Sequence, residues 1–166
     1  MHFSALTAFV ALAAASPLAL PQNAGSGGNT RSNSCDVTSE PKAVRGSGPV
    51  PVLDDCNKMR DQIQNKEESW TITGPAELGK FGTCRFVVTT VTGGDKAFVG
   101  VSDVKDLIGT AVHSWTQALQ DGSAGPTSYQ GTITQQVGVE ANVPCDSASA
   151  SGARQVTIKW SIEHSK

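Results

Sequence analysis

The chain lacks the features by which nucleic-acid-binding and membrane-spanning proteins are recognised in a sequence. Its 13 lysines and arginines are scattered among 15 aspartates and glutamates, and the formal net charge is −2. Neutralising a phosphate backbone or an anionic membrane surface needs a basic stripe, so we expect no nucleic acid and no polybasic membrane contact among its partners. After the N-terminus no segment approaches the roughly 20 apolar residues of a transmembrane helix, so we expect no transmembrane segment.

Motifs that carry chemistry are missing as well. The chain has no H-E-x-x-H, no G-x-S-x-G, no phosphate-binding loop and no dinucleotide fingerprint. His113 falls opposite the apolar stripe of a predicted helix, and His164 lies near the chain end. Asp54–Asp55 and Glu67–Glu68 are adjacent carboxylates, which point in different directions on a helix and form no acid–base couple. We expect no cofactor, no metal site and no enzymatic activity; a glycosidase with distant carboxylates is the alternative.

The N-terminal residues 1–15 are predicted to be a signal peptide. Leu6–Ala15 is an apolar run closed by small residues, and it is too short to cross a bilayer. A buried helix at the start of the domain is the alternative. Residues 16–34 end in a Gly/Ser/Asn-rich stretch without apolar anchors, so we expect a disordered leader there. The folded domain then spans residues 35–166, and the protein is expected to be secreted and extracellular.

The cysteine content predicts disulfides. The four cysteines are Cys35, Cys56, Cys84 and Cys145. An even number in a chain bound for an oxidising compartment indicates two structural disulfides, and four cysteines allow three pairings. No C-x-x-C occurs, so the spacing matches no zinc site. A free catalytic thiol is the alternative.

Two helices are predicted from apolar residues at helical spacing. The first covers residues 52–66, and its apolar face consists of Val52, Cys56, Met59 and Ile63. The second begins at Ser102 as N-cap, carries Asp103 to complement the helix dipole, and ends at Gly122. Its apolar stripe consists of Val104, Leu107, Ile108, Ala111, Val112, Trp115 and Leu119.

β-branched and aromatic residues predict five strands. They are Ser69–Thr73, Phe81–Val91, Lys96–Val101, Tyr129–Glu140 and Val156–Ile162. Gly93–Asp95 is expected to be a hairpin turn between the second and third of them. The last strand alternates strictly between apolar and polar residues, which is typical of an antiparallel sheet with one dry face. The predicted fold is therefore α+β, a two-layer sandwich of an antiparallel β-sheet covered by two helices and stapled by disulfides.

This arrangement favours one pairing of the cysteines. Cys56 lies on the apolar face of the first helix, and Cys84 lies on the apolar side of a strand, so a helix packed on the sheet brings them together. The predicted bridges are Cys56–Cys84 and Cys35–Cys145. The second of these would join the start of the domain to the segment before its last strand.

Several stretches, in chain order, resemble the motifs of one family of fungal effectors. Pro49–Cys56 resembles the family motif S/P-L-V-A-D-C, and Trp70–Ile72 resembles W-x-V. Leu78–Phe86 resembles L-x-x-Y-G-T-C-x-F, and Val99–Ile108 resembles V-G-x-x-D-I-x-D-L-I. The closing strand resembles a Trp-containing strand of the family. With four cysteines at matching positions, the chain resembles the necrosis-inducing-factor domain, the homologues of fungal extracellular protein two, from Cys35 to Ile162.

The resemblance implies a secreted fungal virulence effector that acts in the plant apoplast or at the host surface. Some members of the family provoke host cell death, and the fold is thought similar to that of small α/β killer toxins. The expected partner is an unidentified host apoplastic or cell-surface protein, and the expected state is a monomer. The alternative function is a killer-toxin-like antimicrobial protein against competing microbes. Gly131–Cys145 departs from the family, because it is longer than the usual G-T-x-x-C segment.

The signal-peptide assignment predicts the N-terminus of the mature protein. The small-residue cluster at the end of the apolar run places the cleavage so that the secreted form begins between Ser16 and Gln22. N-terminal sequencing of secreted material checks this expectation. Material that retains Leu6–Ala15 would contradict it.

Overall fold

The computed structural model describes residues 34–64, 68–92, 96–147 and 155–166. The expected signal peptide and leader lie outside the described residues, apart from Ser34. In chain order the elements are β1 (Lys42–Gly46), α1 (Leu53–Gln62), β2 (Ser69–Ile72), β3 (Ala76–Phe81), β4 (Cys84–Thr92), β5 (Ala97–Gly100), α2 (Val101–Gln120), β6 (Thr127–Tyr129), β7 (Thr132–Asp146) and β8 (Gln155–His164).

The main sheet is antiparallel, with the strand order β1-β7-β8-β4-β3 and with β6 paired to the start of β7. β2 and β5 form a separate antiparallel pair. The two helices pack against each other; α1 also contacts β3 and β4, and α2 also contacts β5. We call the face of the main sheet that carries the buried apolar side chains the inner face, and the opposite face the outer face. An antiparallel sheet, two helices and two disulfides confirm the α+β fold expected from the sequence.

β8 confirms the alternation read from the sequence. Its inward side chains are all at most 4% exposed, and they are Val156, Ile158, Trp160 and Ile162. Lys159 and Glu163 project from the outer face and are only partly covered. Because successive side chains of a strand point to opposite faces, the inner face and the outer face of the sheet carry separate sets of residues.

The apolar stripes of both helices are confirmed except at one end of each. Buried residues of α1 and the turn after it are Cys56, Met59 and Ile63, and those of α2 run from Val104 to Trp115. The prediction that Val52 is buried is wrong. Its side chain is 52% exposed, because Val52 is the extended N-cap residue and lies outside the helix. The prediction for Leu119 is also wrong: its side chain is 53% exposed, whereas Ala118 of the same turn packs against the core cluster. The N-cap of α2 is Gly100 rather than Ser102.

Two of the predicted strands each include a hairpin turn close to their first residue. Phe81–Val91 is divided by a tight turn in which Gly82 has φ +53°, and β3 before that turn was not predicted. Tyr129–Glu140 is divided by Gln130 and Gly131, both at positive φ, into β6 and β7. β-branched and aromatic residues flank both turns, so composition alone predicted one continuous strand in each case.

The expected hairpin between β4 and β5 is wrong. β4 lies between β3 and β8, and β5 pairs with β2, with Trp70 opposite Val99. The proposed turn residues Gly93–Asp95 lie outside the described residues. A connection of short length favours a hairpin, but β8 occupies the edge of β4 that such a hairpin needs.

Trp115 and Trp160 belong to one hydrophobic cluster. Trp160 is fully buried and stacks on Phe86, with ring centroids 5.4 Å apart. Trp115 is 2% exposed and comes from α2, so the cluster joins the helix layer to the sheet layer. His113 is exposed on the other side of α2.

Replacing Trp115 tests the phase of α2. Trp115→Ala removes a buried indole and is expected to lower the free energy of unfolding by about 3–5 kcal/mol. His113→Ala removes an exposed ring and should change it by no more than about 0.5 kcal/mol. Denaturant unfolding of both variants measures the difference. Equal destabilisation would show that the two side chains do not lie on opposite faces.

Candidate functional site: the outer face of the sheet

All four predicted site residues are disulfide-bonded, in the pairing expected from the sequence. Cys56–Cys84 joins α1 to the first residue of β4, with the Cα atoms 5.2 Å apart. Cys35–Cys145 joins the start of the described chain to the end of β7, where the two residues form an isolated antiparallel bridge. No cysteine is left as a free thiol. The cysteines therefore fix the fold and do not supply a nucleophile.

A carboxylate lies beside the Cys56–Cys84 bridge and ties the start of α1 to the turn between β3 and β4. Oδ2 of Asp55 accepts hydrogen bonds from the backbone N–H and the hydroxyl of Thr83, both at 2.8 Å. The Thr83 hydroxyl also accepts the N–H of Val52 at 2.8 Å. The Thr83 N–H and then its hydroxyl hold the pKa of the Asp55 carboxyl below its ordinary value, because both bonds favour the ionised form. We call this group, with both cysteines and Gly82, the Cys56 joint.

Gly82 completes the Cys56 joint because no other residue fits there. Its φ of +53° lies in the left-handed region, and a Cβ at this position would overlap the Asp55 carboxylate. The chain end is fastened to the same turn: Ser165 donates its hydroxyl to the Gly82 carbonyl at 2.6 Å and its N–H to the Thr83 carbonyl at 2.9 Å. The joint thus holds α1, the β3–β4 turn and the end of β8 in one place.

A second carboxylate lies beside the Cys35–Cys145 bridge. Asp103 is completely buried, and its Oδ2 accepts the backbone N–H groups of Ser34, Cys35 and Gly100 at 2.7, 3.1 and 2.8 Å. Burial raises the pKa of the Asp103 carboxyl above its ordinary value, although the three N–H bonds act in the opposite direction. Asp103 was expected only to complement the helix dipole; the structure shows that it also anchors the N-terminal segment.

We call Asp103, its three N–H donors and the Cys35–Cys145 bridge the second joint. Most residues of the two joints come from the stretches that carry the family resemblance. The first stretch ends in Asp55 and Cys56, and the L-x-x-Y-G-T-C-like stretch supplies Gly82, Thr83 and Cys84. The V-G-x-x-D-like stretch supplies Gly100 and Asp103 to the second joint. Each of these residues has a structural role, and none of them forms the surface that the joints hold in place.

The outer face carries a groove of about 570 Å³ across four strands. A row of cross-strand neighbours crosses it, formed by Val44 of β1, Gly138 of β7, Glu163 of β8 and Arg85 of β4. Pro49, from the segment before α1, lines the same groove. We call this the outer-face groove. One wall is apolar, and the opposite wall is charged.

Gly138 forms the floor of the groove. A Cβ at Gly138 would lie 2.7 Å from the Ile162 carbonyl oxygen, so β7 and β8 approach too closely for any side chain. A register shift between Val44 and Arg45 bends the adjoining edge of the sheet. The missing side chain and the bend together create the concave surface.

Ion pairs arrange the charged wall. Arg85 contacts Glu163 at 2.8 Å and Glu77 at 3.9 Å, and Lys159 contacts Glu140 at 2.8 Å. Partly exposed pairs of this kind contribute at most about 1 kcal/mol each. Their effect is to order the side chains of the wall. The sequence reasoning missed this surface, although the outward positions of β8 and a glycine inside a strand were signals for it.

The candidate acid–base residues are not brought together. Asp54 pairs with Lys58 at 2.7 Å on α1, while its neighbour Asp55 belongs to the Cys56 joint. Glu67 lies outside the described residues, and His164 lines the end of the outer-face groove. Within the described ranges no group of three or more metal-ligating side chains occurs, and no described helix could span a membrane.

Comparison with known protein families gives one match. Residues 34–145 match the Hce2 family, which is described as "Pathogen effector; putative necrosis-inducing factor". The match includes both joints and all four cysteines, and it ends before β8. No curated protein matches the chain in sequence.

Gly82→Ala tests the Cys56 joint. The substitution forces a side chain into a left-handed conformation against the Asp55 carboxylate, and we expect a loss of about 1–3 kcal/mol in the free energy of unfolding. Gly74→Ala is the matched control, because nothing lies within 4 Å of the added Cβ. Thermal or denaturant unfolding compares the two variants. A Gly82 variant as stable as the Gly74 control would contradict the joint.

Asp103→Asn tests the second joint through pH. Since the folded pKa of Asp103 lies above the unfolded value, its contribution is fully present below the unfolded pKa and is lost as pH rises through the folded pKa. The asparagine does not ionise, and its amide oxygen accepts the same N–H groups. We expect wild-type stability to fall relative to the variant as pH rises above the ordinary pKa of an aspartate carboxyl, as measured by paired melting curves. A constant difference would refute the raised pKa.

Proposed function

The chain belongs to the Hce2 family of pathogen effectors, and from this premise we propose that it is a secreted effector that binds a host component through the outer-face groove. The family description supports a pathogen effector and a necrosis-inducing factor. The proposal adds where the protein acts, how it acts and which surface it uses. It acts outside the producing cell, in the plant apoplast or at the host surface, and the producing organism is a fungus.

The disulfides support the extracellular site of action. Cys35–Cys145 and Cys56–Cys84 use all the cysteines of the chain, and such bridges persist in oxidising compartments. The predicted signal peptide at residues 1–15 provides the route out of the cell. A hydrogen-bonded carboxylate lies next to each bridge. Together they hold the chain against local unfolding, which an extracellular protein needs in order to resist proteases.

The groove is the observation that carries the proposed mode of action. It is a concave surface on a sheet, and sites on rigid elements hold their geometry better than sites on loops. Arg85 follows Cys84 directly, and Lys166 follows Ser165, so the Cys56 joint fixes both ends of the charged wall. The carboxylates of Glu163 and Glu140 are engaged by cations of the same wall. This arrangement suits recognition, so we assign the activity to binding and not to turnover.

Necrosis is the proposed outcome in a sensitive host. An antimicrobial, killer-toxin-like protein is the competing function. The formal net charge of −2 weighs against it, because proteins that attack anionic membranes are rich in lysine and arginine.

Leaf infiltration tests the proposal. Purified mature domain is expected to provoke cell death or a defence response in a sensitive plant, and Val44→Glu should raise the required dose at least tenfold, because it places a charge on the apolar wall. His113→Glu, an equal change of charge on the exposed side of α2, should leave the dose unchanged. Circular dichroism and melting curves establish that both variants are folded.

The same preparations separate the competing functions. Inhibition of fungal or bacterial growth without any plant response would replace the proposal by the antimicrobial function. A plant response that Val44→Glu leaves unaltered would show that the outer-face groove is not the contact.

A further inference from the structure

The charged wall of the outer-face groove has hydrogen-bond donors without a close partner. Nε of Arg85 is buried and has no hydrogen-bond partner, and its Nη1 has only the 3.9 Å contact with Glu77. The Lys166 ammonium has no ion-pair partner among the described residues. Both carboxylates of the wall, in contrast, accept close contacts of 2.8 Å, Glu163 from Arg85 and Glu140 from Lys159. The unmet capacity is cationic, so the wall is complementary to an anion.

The opposite wall is complementary to an aliphatic side chain. Val44 and Pro49 line the groove, and Val50, directly after Pro49, is 37% exposed. Val52 follows in the same segment and is 52% exposed. Of the four large hydrophobic side chains that are exposed in the described part of the chain, two therefore lie in the segment that borders this groove. An exposed aliphatic strip beside a polar rim is typical of a binding surface.

Taking the proposed function as its premise, we infer that the outer-face groove binds an extended peptide segment of a partner protein in which a carboxylate side chain is flanked by aliphatic residues. The carboxylate meets Arg85 and Lys166, and the aliphatic neighbours lie on Val44, Pro49 and Val50. The volume of about 570 Å³ accommodates a few residues of such a segment. A bare anion would leave the aliphatic wall uncovered, and a purely apolar segment would cover the Lys166 ammonium without pairing it, which costs free energy.

Blocked tripeptides are the probes for this inference. Valine–glutamate–valine is titrated into the 15N-labelled domain, and saturable amide shifts are expected at Val137, Gly138 and Glu163. Valine–glutamine–valine should bind about tenfold more weakly, since a charge-assisted hydrogen bond becomes a neutral one. Serine–glutamate–serine should also bind more weakly, because it covers no apolar surface.

Variants of the protein give the reciprocal test. Lys166→Gln removes one exposed cation and should weaken binding of valine–glutamate–valine about two- to fivefold. Val50→Ser should weaken it to a similar extent. Lys105→Gln is the matched control, because Lys105 lies on α2 beside Arg60, away from the outer face. Arg85→Gln completes the set, with a melting curve to show that the variant folds, since Arg85 also orders Glu163.

The results of the peptide titrations and of the leaf infiltration distinguish the inference from the proposed function. Shifts outside the groove, no saturable shift, or equal binding of the glutamate and glutamine peptides would overturn the inference. If the leaf response depends on Val44 and the peptides fail to bind, the partner chemistry is wrong and the proposed function stands. If the peptides bind as described and Val44→Glu keeps the full leaf response, the proposed function is wrong and the binding chemistry stands.

Discussion

The buried carboxylate of Asp103 is the constraint on which the rest of the structure depends. An isolated charge in a protein interior is very costly, so the fold must bring donors to it. It does so with three backbone N–H groups from two distant segments, Ser34–Cys35 and Gly100. Satisfying this one oxygen therefore fixes the position of Ser34 and Cys35 relative to the end of β5 and the start of α2. The Cys35–Cys145 bridge then extends the constraint to the end of β7.

The Cys56 joint transmits the same kind of order to the surface. Asp55 and Thr83 hold α1 to the β3–β4 turn, and Ser165 fastens the end of β8 to that turn. The core side chains of β4 and β8 are set by this arrangement, and the alternation of a strand sets the outward ones with them. Arg85 and Glu163 contact each other at 2.8 Å because they are partners in the β4–β8 ladder, next to the pair formed by Cys84 and His164. The hydrogen bonds and the disulfide of the Cys56 joint thus position the outer-face groove, although the joint residues do not line it.

The sequence predicts those parts of the fold that depend on one element at a time. The stripe of α2 from Val104 to Trp115, the alternation of β8 and the apolar setting of Cys56 are local patterns, and each is confirmed. The β3–β4 turn was missed because Gly82 reads as one more residue of a strand until the Asp55 carboxylate beside it is known. The pairing of β5 with β2 was missed because it depends on competition for the edge of β4. The groove needs four strands in the right order, which no single window of sequence contains.

The division between interior and surface bears on how a partner is chosen. The family match ends at Cys145, so it includes the residues of both joints but not β8. Lys159, Glu163 and Lys166, which supply much of the charged wall, lie beyond it. They also occupy outward positions, where packing places few limits on the side chain. Substitutions at these outward positions would therefore leave the hydrogen bonds and disulfides of both joints intact, so the proposed recognition surface and the residues that hold the sheet together are largely separate sets.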